Sequence, residues 1–133
     1  MKKYENLITS GVEQNLNVVA YHHEAPLTRY VMLQKDRVEG DGGFRIVSHI
    51  ITELPDKIPA YCELHRHDFD EVNLILSEDN SLKYCIQLED ETYEVNAPAT
   101  VYIPKGIRHA AEVISGRGIY IAITFTKDFK AQK

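Results

Sequence analysis

The stretch Glu63-Leu64-His65-Arg66-His67-Asp68-Phe69-Asp70-Glu71 decides how this chain is read. Side chains of an extended segment alternate between faces. His65 and His67 therefore share one face, about 7 Å apart along a strand. Two imidazoles so placed can share one metal ion. A turn through Asp68-Phe69-Asp70 returns Glu71 on the neighbouring strand, where its carboxylate supplies a third ligand.

The fourth ligand comes from Tyr102-Ile103-Pro104-Lys105-Gly106-Ile107-Arg108-His109. Pro104, followed two residues later by Gly106, suits a type I turn with proline at its second position. That turn reverses the chain and starts a new strand near His109. Three histidines and a carboxylate form a mixed nitrogen–oxygen set that suits Fe, Mn, Ni, Zn or Cu. The expected cofactor is thus one divalent transition metal ion on His65, His67, Glu71 and His109. Such a set leaves open positions on an octahedral ion for substrate, water or dioxygen.

Outward from these two segments the chain reads as strands. Short stretches near 60–67, 71–77, 82–88, 92–95, 100–103, 108–114 and 118–126 are separated by turn residues such as Glu78-Asp79-Asn80 and Ser115-Gly116. Many short strands at close spacing predict a sandwich or barrel. Upstream, 16–21 and 29–34 are apolar runs. Asp41-Gly42-Gly43 is a turn signal that opens a β-branched stretch over 44–54. Residues 5–15 allow a short helix with a poor pattern, and the tail from Lys127 is expected to be solvated.

The chain has 133 residues, of which 44% are hydrophobic and 26% charged, enough for one domain with its own core. Its net charge of −5 disfavours partners held by a basic surface, so neither nucleic acid nor anionic membrane is expected. No apolar run is long enough to span a bilayer. Met1-Lys2-Lys3-Tyr4 is followed by no apolar segment, so a cytoplasmic location is expected. Cys62 and Cys85 read as small core thiols in a reducing compartment rather than as a disulfide.

The two quoted segments resemble the paired signature motifs of the cupin superfamily. His65-Arg66-His67, three residues and Glu71 match the first motif. Pro104-Lys105-Gly106, two residues and His109 match the second. The family's flanking glycines are replaced here by Pro59, Glu78 and Pro98, and the terminal asparagine of the second motif by Val113. The resemblance implies an all-β, double-stranded β-helix (jelly-roll) barrel whose three histidines and glutamate ligate a metal. One cupin domain over 1–133 is expected. Its motif-bearing barrel covers about 44–126, with N-terminal strands in 1–43 packing on it or extending it. The resemblance also implies a homodimer.

Alternation assigns further candidates. Tyr61 and Glu63 share the face of His65, and Asn73 and Ile75 share that of Glu71. Ala111 and Val113 share the face of His109. Glu63 is either a contact near the ion or a hydrated group at the barrel mouth. Strand 82–88 presents either Tyr84 or Cys85 and Gln87 to the cavity. Tyr102 lies near the site by sequence. Tyr61, Asn73, Tyr84, Gln87 and Tyr102 are therefore the pocket candidates. His49, in an otherwise apolar strand with Arg45, is either a core histidine or an acid–base group. Glu63 and His49 are the catalytic candidates. His22-His23 are expected to be exposed.

No phosphate-binding glycine loop or serine nucleophile elbow is visible. The expected function is a metal-dependent enzyme of oxygenase, isomerase or decarboxylase type, acting on a small polar molecule. The alternative is a non-catalytic small-molecule or metal-binding module or sensor.

Overall fold

The computed structural model describes residues 2–36, 43–126 and 130–133. Alternation governs its strands. In β3 (Gly43–Ile51) every second residue is buried, from Gly43 through Arg45, Val47, His49 and Ile51. In β4 (Glu71–Leu76) the buried positions are Glu71, Asn73 and Ile75. In β5 (Lys83–Leu88) they are Tyr84 and Ile86. The remaining strands are β1 (Val12–Glu13), β2 (Thr28–Asp36), β6 (Glu91–Asn96), β7 (Ala99–Ile103), β8 (His109–Ser115) and β9 (Gly118–Thr124).

The strand pairings among the described residues are antiparallel, and they form two sheets. One has six strands in the order β1-β2-β3-β9-β4-β7, the other three in the order β6-β5-β8. This is the expected all-β jelly roll. The N-terminal strands extend the larger sheet, with β2 pairing along β3 from Thr28–Ile50 to Asp36–Gly43. The turn expected at Asp41-Gly42 lies outside the described residues.

Between the sheets sits an apolar core that includes Ile51, Tyr61, Ile75, Leu82, Tyr84 and Ile86, each at most 1% exposed. Each such aliphatic side chain contributes about 1.5–3 kcal/mol through burial. Tyr84 stacks on Tyr120 with ring centroids 4.6 Å apart. The Tyr61 hydroxyl accepts a hydrogen bond from the Val113 backbone N–H at 2.7 Å, tying the 60–67 segment to β8. At the β8–β9 turn, Gly116 has φ +88°, and a Cβ there would lie 2.0 Å from the Ser81 carbonyl oxygen.

Three sequence expectations are corrected. Residues 60–67 are extended but form no continuous strand. Their ladder is reduced to the bridges His22–Cys62, His65–His109 and Arg66–Gln132. The backbone N–H groups of Tyr61 and Cys62 instead donate to the Glu112 carboxylate. Residues 16–21 are not a strand. A 3₁₀ turn covers Leu16–Val18, and the Asn15 side chain accepts from the Asn17 N–H at 2.9 Å. A local side-chain bond of this kind competes with the sheet ladder. The helix allowed over 5–15 is only the 3₁₀ turn Glu5–Leu7, which has no buried face to pack it.

Candidate metal centre

The site forms where the His65–Glu71 segment meets the first residue of β8. His65 and His109 exchange backbone hydrogen bonds of 3.1 and 2.7 Å. That pairing puts the motif histidines side by side although they are far apart in sequence. The His65 and His109 rings lie 4.6 Å apart, and the His67 and His109 rings 4.7 Å apart. Glu71 opens β4 and enters from the larger sheet. His65, His67, Glu71 and His109 are all at most 6% exposed.

One ligand atom each from His67, Glu71 and His109 fall within 4.8 Å of one another. His65 stands beside them but groups within the same distance with His22 and Cys62. His22 is therefore half-buried against the site, not exposed as expected, and its Nε2 lies 3.4 Å from Cys62 Sγ. Its ring packs edge-on to that of His65 at 5.0 Å.

The four histidines are held in the same way. The Nδ1–H groups of His22, His65, His67 and His109 donate to the carbonyls of Ala20, Glu63, Phe69 and Ile107, at 2.7–2.9 Å. An imidazole so fixed is the tautomer with a lone pair on Nε2, the usual arrangement behind a metal-binding histidine. Asn73 donates to Glu71 Oε2 at 2.7 Å, orienting the carboxylate.

The donor set fits a first-row transition ion. His67 Nε2 lies 2.9 Å from Glu71 Oε1, and the buried His109 Nε2 has no hydrogen-bond partner. With both Nδ1 atoms protonated, lone pairs and a carboxylate face one another. A cation at that point satisfies all of them.

Titration follows from burial. Burial, opposed by the Glu63 backbone bond, lowers the His65 pKa to about 4. His109 is also lowered, by burial first. Burial disfavours the Glu71 carboxylate, but His67, His109 and Asn73 together outweigh it, and its pKa falls below the usual value.

Beside the cluster lies a cavity of about 60 Å³, onto which Glu71, His65, His109, Tyr61 and His49 open. His49 is 7% exposed; burial first, then the Arg29 charge, lowers its pKa to about 3. It is thus neutral at neutral pH, offering one N–H and one lone pair. Tyr84 and Asn73 are buried, and neither is among the residues that line this cavity.

Three candidates lie elsewhere. Glu63 is on the surface, where it binds His23 at 2.9 Å and Lys133 at 3.3 Å, because its segment leaves regular alternation before His65. Gln87 points to the opposite face of β5 from Tyr84 and donates to the Glu89 carbonyl. Tyr102, at 59% exposure, donates to Asp70 on the outside. Sequence reading missed Arg29, Thr124, His22 and Cys62. The first two were hidden in ordinary strands, and the last two meet only through a long-range bridge. Strand alternation from Arg45 and His49 across the sheet was the one available signal.

No family profile and no curated protein matches the sequence. Among solved structures, the polyketide cyclase RemF from Streptomyces resistomycificus is similar with TM-score 0.60 and 16% identity, over 99% of this chain and 84% of that one. A cupin 2 domain-containing protein from Halorhodospira halophila has TM-score 0.58 and 14% identity, over 80% and 69%. A cupin superfamily protein from Desulfitobacterium hafniense DCB-2 has TM-score 0.55 and 17% identity, over 75% and 77%. At these identities the likeness speaks for architecture. The two sheets, their strand order and these matches together give the chain the fold of the cupin superfamily.

Proposed function

We propose that this chain is a metal-dependent enzyme acting on a small polar molecule, with one transition metal ion held by His65, His67, Glu71 and His109. The observation that carries the reading is the buried meeting of His67 Nε2, Glu71 and His109 Nε2 at the edge of a cavity. A purely structural ion is usually closed by four ligands, commonly Cys and His. Here two of the three clustered donors, Glu71 and His109, open onto space that a ligand can fill. A bound ion would polarise a ligand oxygen as a Lewis acid or bind dioxygen.

The chain's own residues divide the remaining work. Asn73 and the backbone carbonyls of Glu63, Phe69 and Ile107 fix the ligands. His49 is the candidate acid–base group that faces the cavity, whereas Glu63 points away from it. The similar RemF is a polyketide cyclase, which supports an enzyme reading on this fold. The test is water exchange at the ion. Protein loaded with Mn²⁺ should enhance water-proton relaxation through a bound, exchanging water. Stoichiometric Mn²⁺ without enhancement would point to a closed, non-catalytic site.

A further inference from the structure

The inner face of the larger sheet carries its polar residues in register. Arg45, Thr124 and Glu71 lie opposite one another across β3, β9 and β4. One step along, the same strands present Val47, Ala122 and Asn73. A further step brings Arg29, His49 and Tyr120 opposite one another across β2, β3 and β9. Rows two residues apart are roughly 7 Å apart. The small Val47 and Ala122 in the middle row leave the space between the polar rows open. That space is the cavity beside the candidate metal centre, lined by both arginines, His49 and Thr124.

Arg29 is 3% exposed, yet no carboxylate among the described residues pairs with it. Its Nη1 donates to the neutral Gln14 side-chain oxygen. Its Nε is buried with no hydrogen-bond partner, and so is Thr124 Oγ1. Burial first, and Arg45 nearby, lower the Arg29 pKa to about 10, so it remains a cation at neutral pH. A buried guanidinium without a counter-ion is costly to keep. Its planar fork matches a carboxylate in shape and charge.

We propose that the cavity is a binding site for a small carboxylate, with Arg29 as its main charge partner and Arg45 and Thr124 beside it. The proposal rests on the enzyme reading above and names its substrate class: a compact organic acid that spans from Arg29 to the ion side of the cavity. A cavity of this volume holds roughly four to six small heavy atoms, judged by the space one water needs. That size suits a two- or three-carbon acid.

The test uses calorimetric titration of the full chain with lactate, its uncharged analogue lactamide, and inorganic phosphate. Each is titrated into both metal-loaded and chelator-treated protein. Lactate should bind at least tenfold tighter than lactamide, and tighter than phosphate, in both preparations. Arg29→Gln should weaken lactate at least tenfold while leaving metal content unchanged. If that variant does not fold, the wild-type comparison of lactate with lactamide still decides. Equal affinity for lactate and lactamide, no lactate binding, or a preference for phosphate would overturn the proposal. The metal reading fails separately: protein that takes up no metal but still selects lactate leaves the carboxylate site standing.

Discussion

His67 Nε2 stands 2.9 Å from Glu71 Oε1 inside the barrel, and the same imidazole already donates its Nδ1–H to the Phe69 carbonyl. A neutral imidazole has one N–H, so this contact needs a further positive charge, a second proton or a metal ion. His109 Nε2, buried and 3.9 Å from the same carboxylate oxygen, adds a second lone pair to the demand. Glu71→Gln removes the negative charge while keeping the shape. It should lower bound metal at least tenfold without loss of the β-sheet circular dichroism signal. Wild-type metal content in this variant would contradict the role assigned to Glu71.

Asn73 is fully buried and donates to Glu71 Oε2 at 2.7 Å. Partners that orient a metal ligand are commonly worth 10–100-fold in affinity. Asn73→Leu should weaken metal binding by about that factor, measured by competition with a chromogenic chelator. Unchanged affinity would mean that the carboxylate is oriented without Asn73.

An ion that binds the folded chain alone stabilises it by mass action, about 2.7 kcal/mol at a hundred times its dissociation constant. For a chain of this length that corresponds to a rise in Tm on the order of 10 °C. Chelator should remove the increment and added metal restore it, as read by thermal scanning. An indifferent Tm would argue for a weak or vestigial centre.

Acid should destabilise the metal-free protein through its buried histidines. The His49 pKa is lowered to about 3 and that of His65 to about 4, burial being the first cause in each. Unfolded imidazole titrates near 6.5. Between these values the unfolded chain binds more protons, so stability is full above about pH 7 and falls as pH drops toward 4. Urea titrations should show a loss of roughly 3 kcal/mol or more between pH 7 and 4.5. His49→Gln should flatten part of that slope. A flat wild-type profile would contradict the burial of both rings in neutral form.

The motif residues were legible because strand alternation and a Pro-x-Gly turn are local. The turn can be read without knowing the rest of the fold. The same alternation placed Tyr61 and Asn73 in the interior. It failed at Glu63, whose segment is held by the Glu112 carboxylate rather than by a continuous ladder. It gave no hint of His22, which reaches the site only because Cys62 pairs with it 40 residues away. Arg29 was hidden for a related reason: its inward direction depends on the register of β2 against β3, with the shift between Val31 and Leu33. Tyr102 was placed by sequence proximity to Pro104, and proximity along the chain says nothing about face.

In the proposed centre His67 helps to hold one metal ion. Elemental analysis of untagged protein, purified without added metal, tests it most directly when wild type, His67→Ala and His49→Ala are compared. Wild type and His49→Ala should each carry close to one transition metal ion per chain, and His67→Ala little. Equal metal in all three, or none in wild type even after reconstitution, would contradict it.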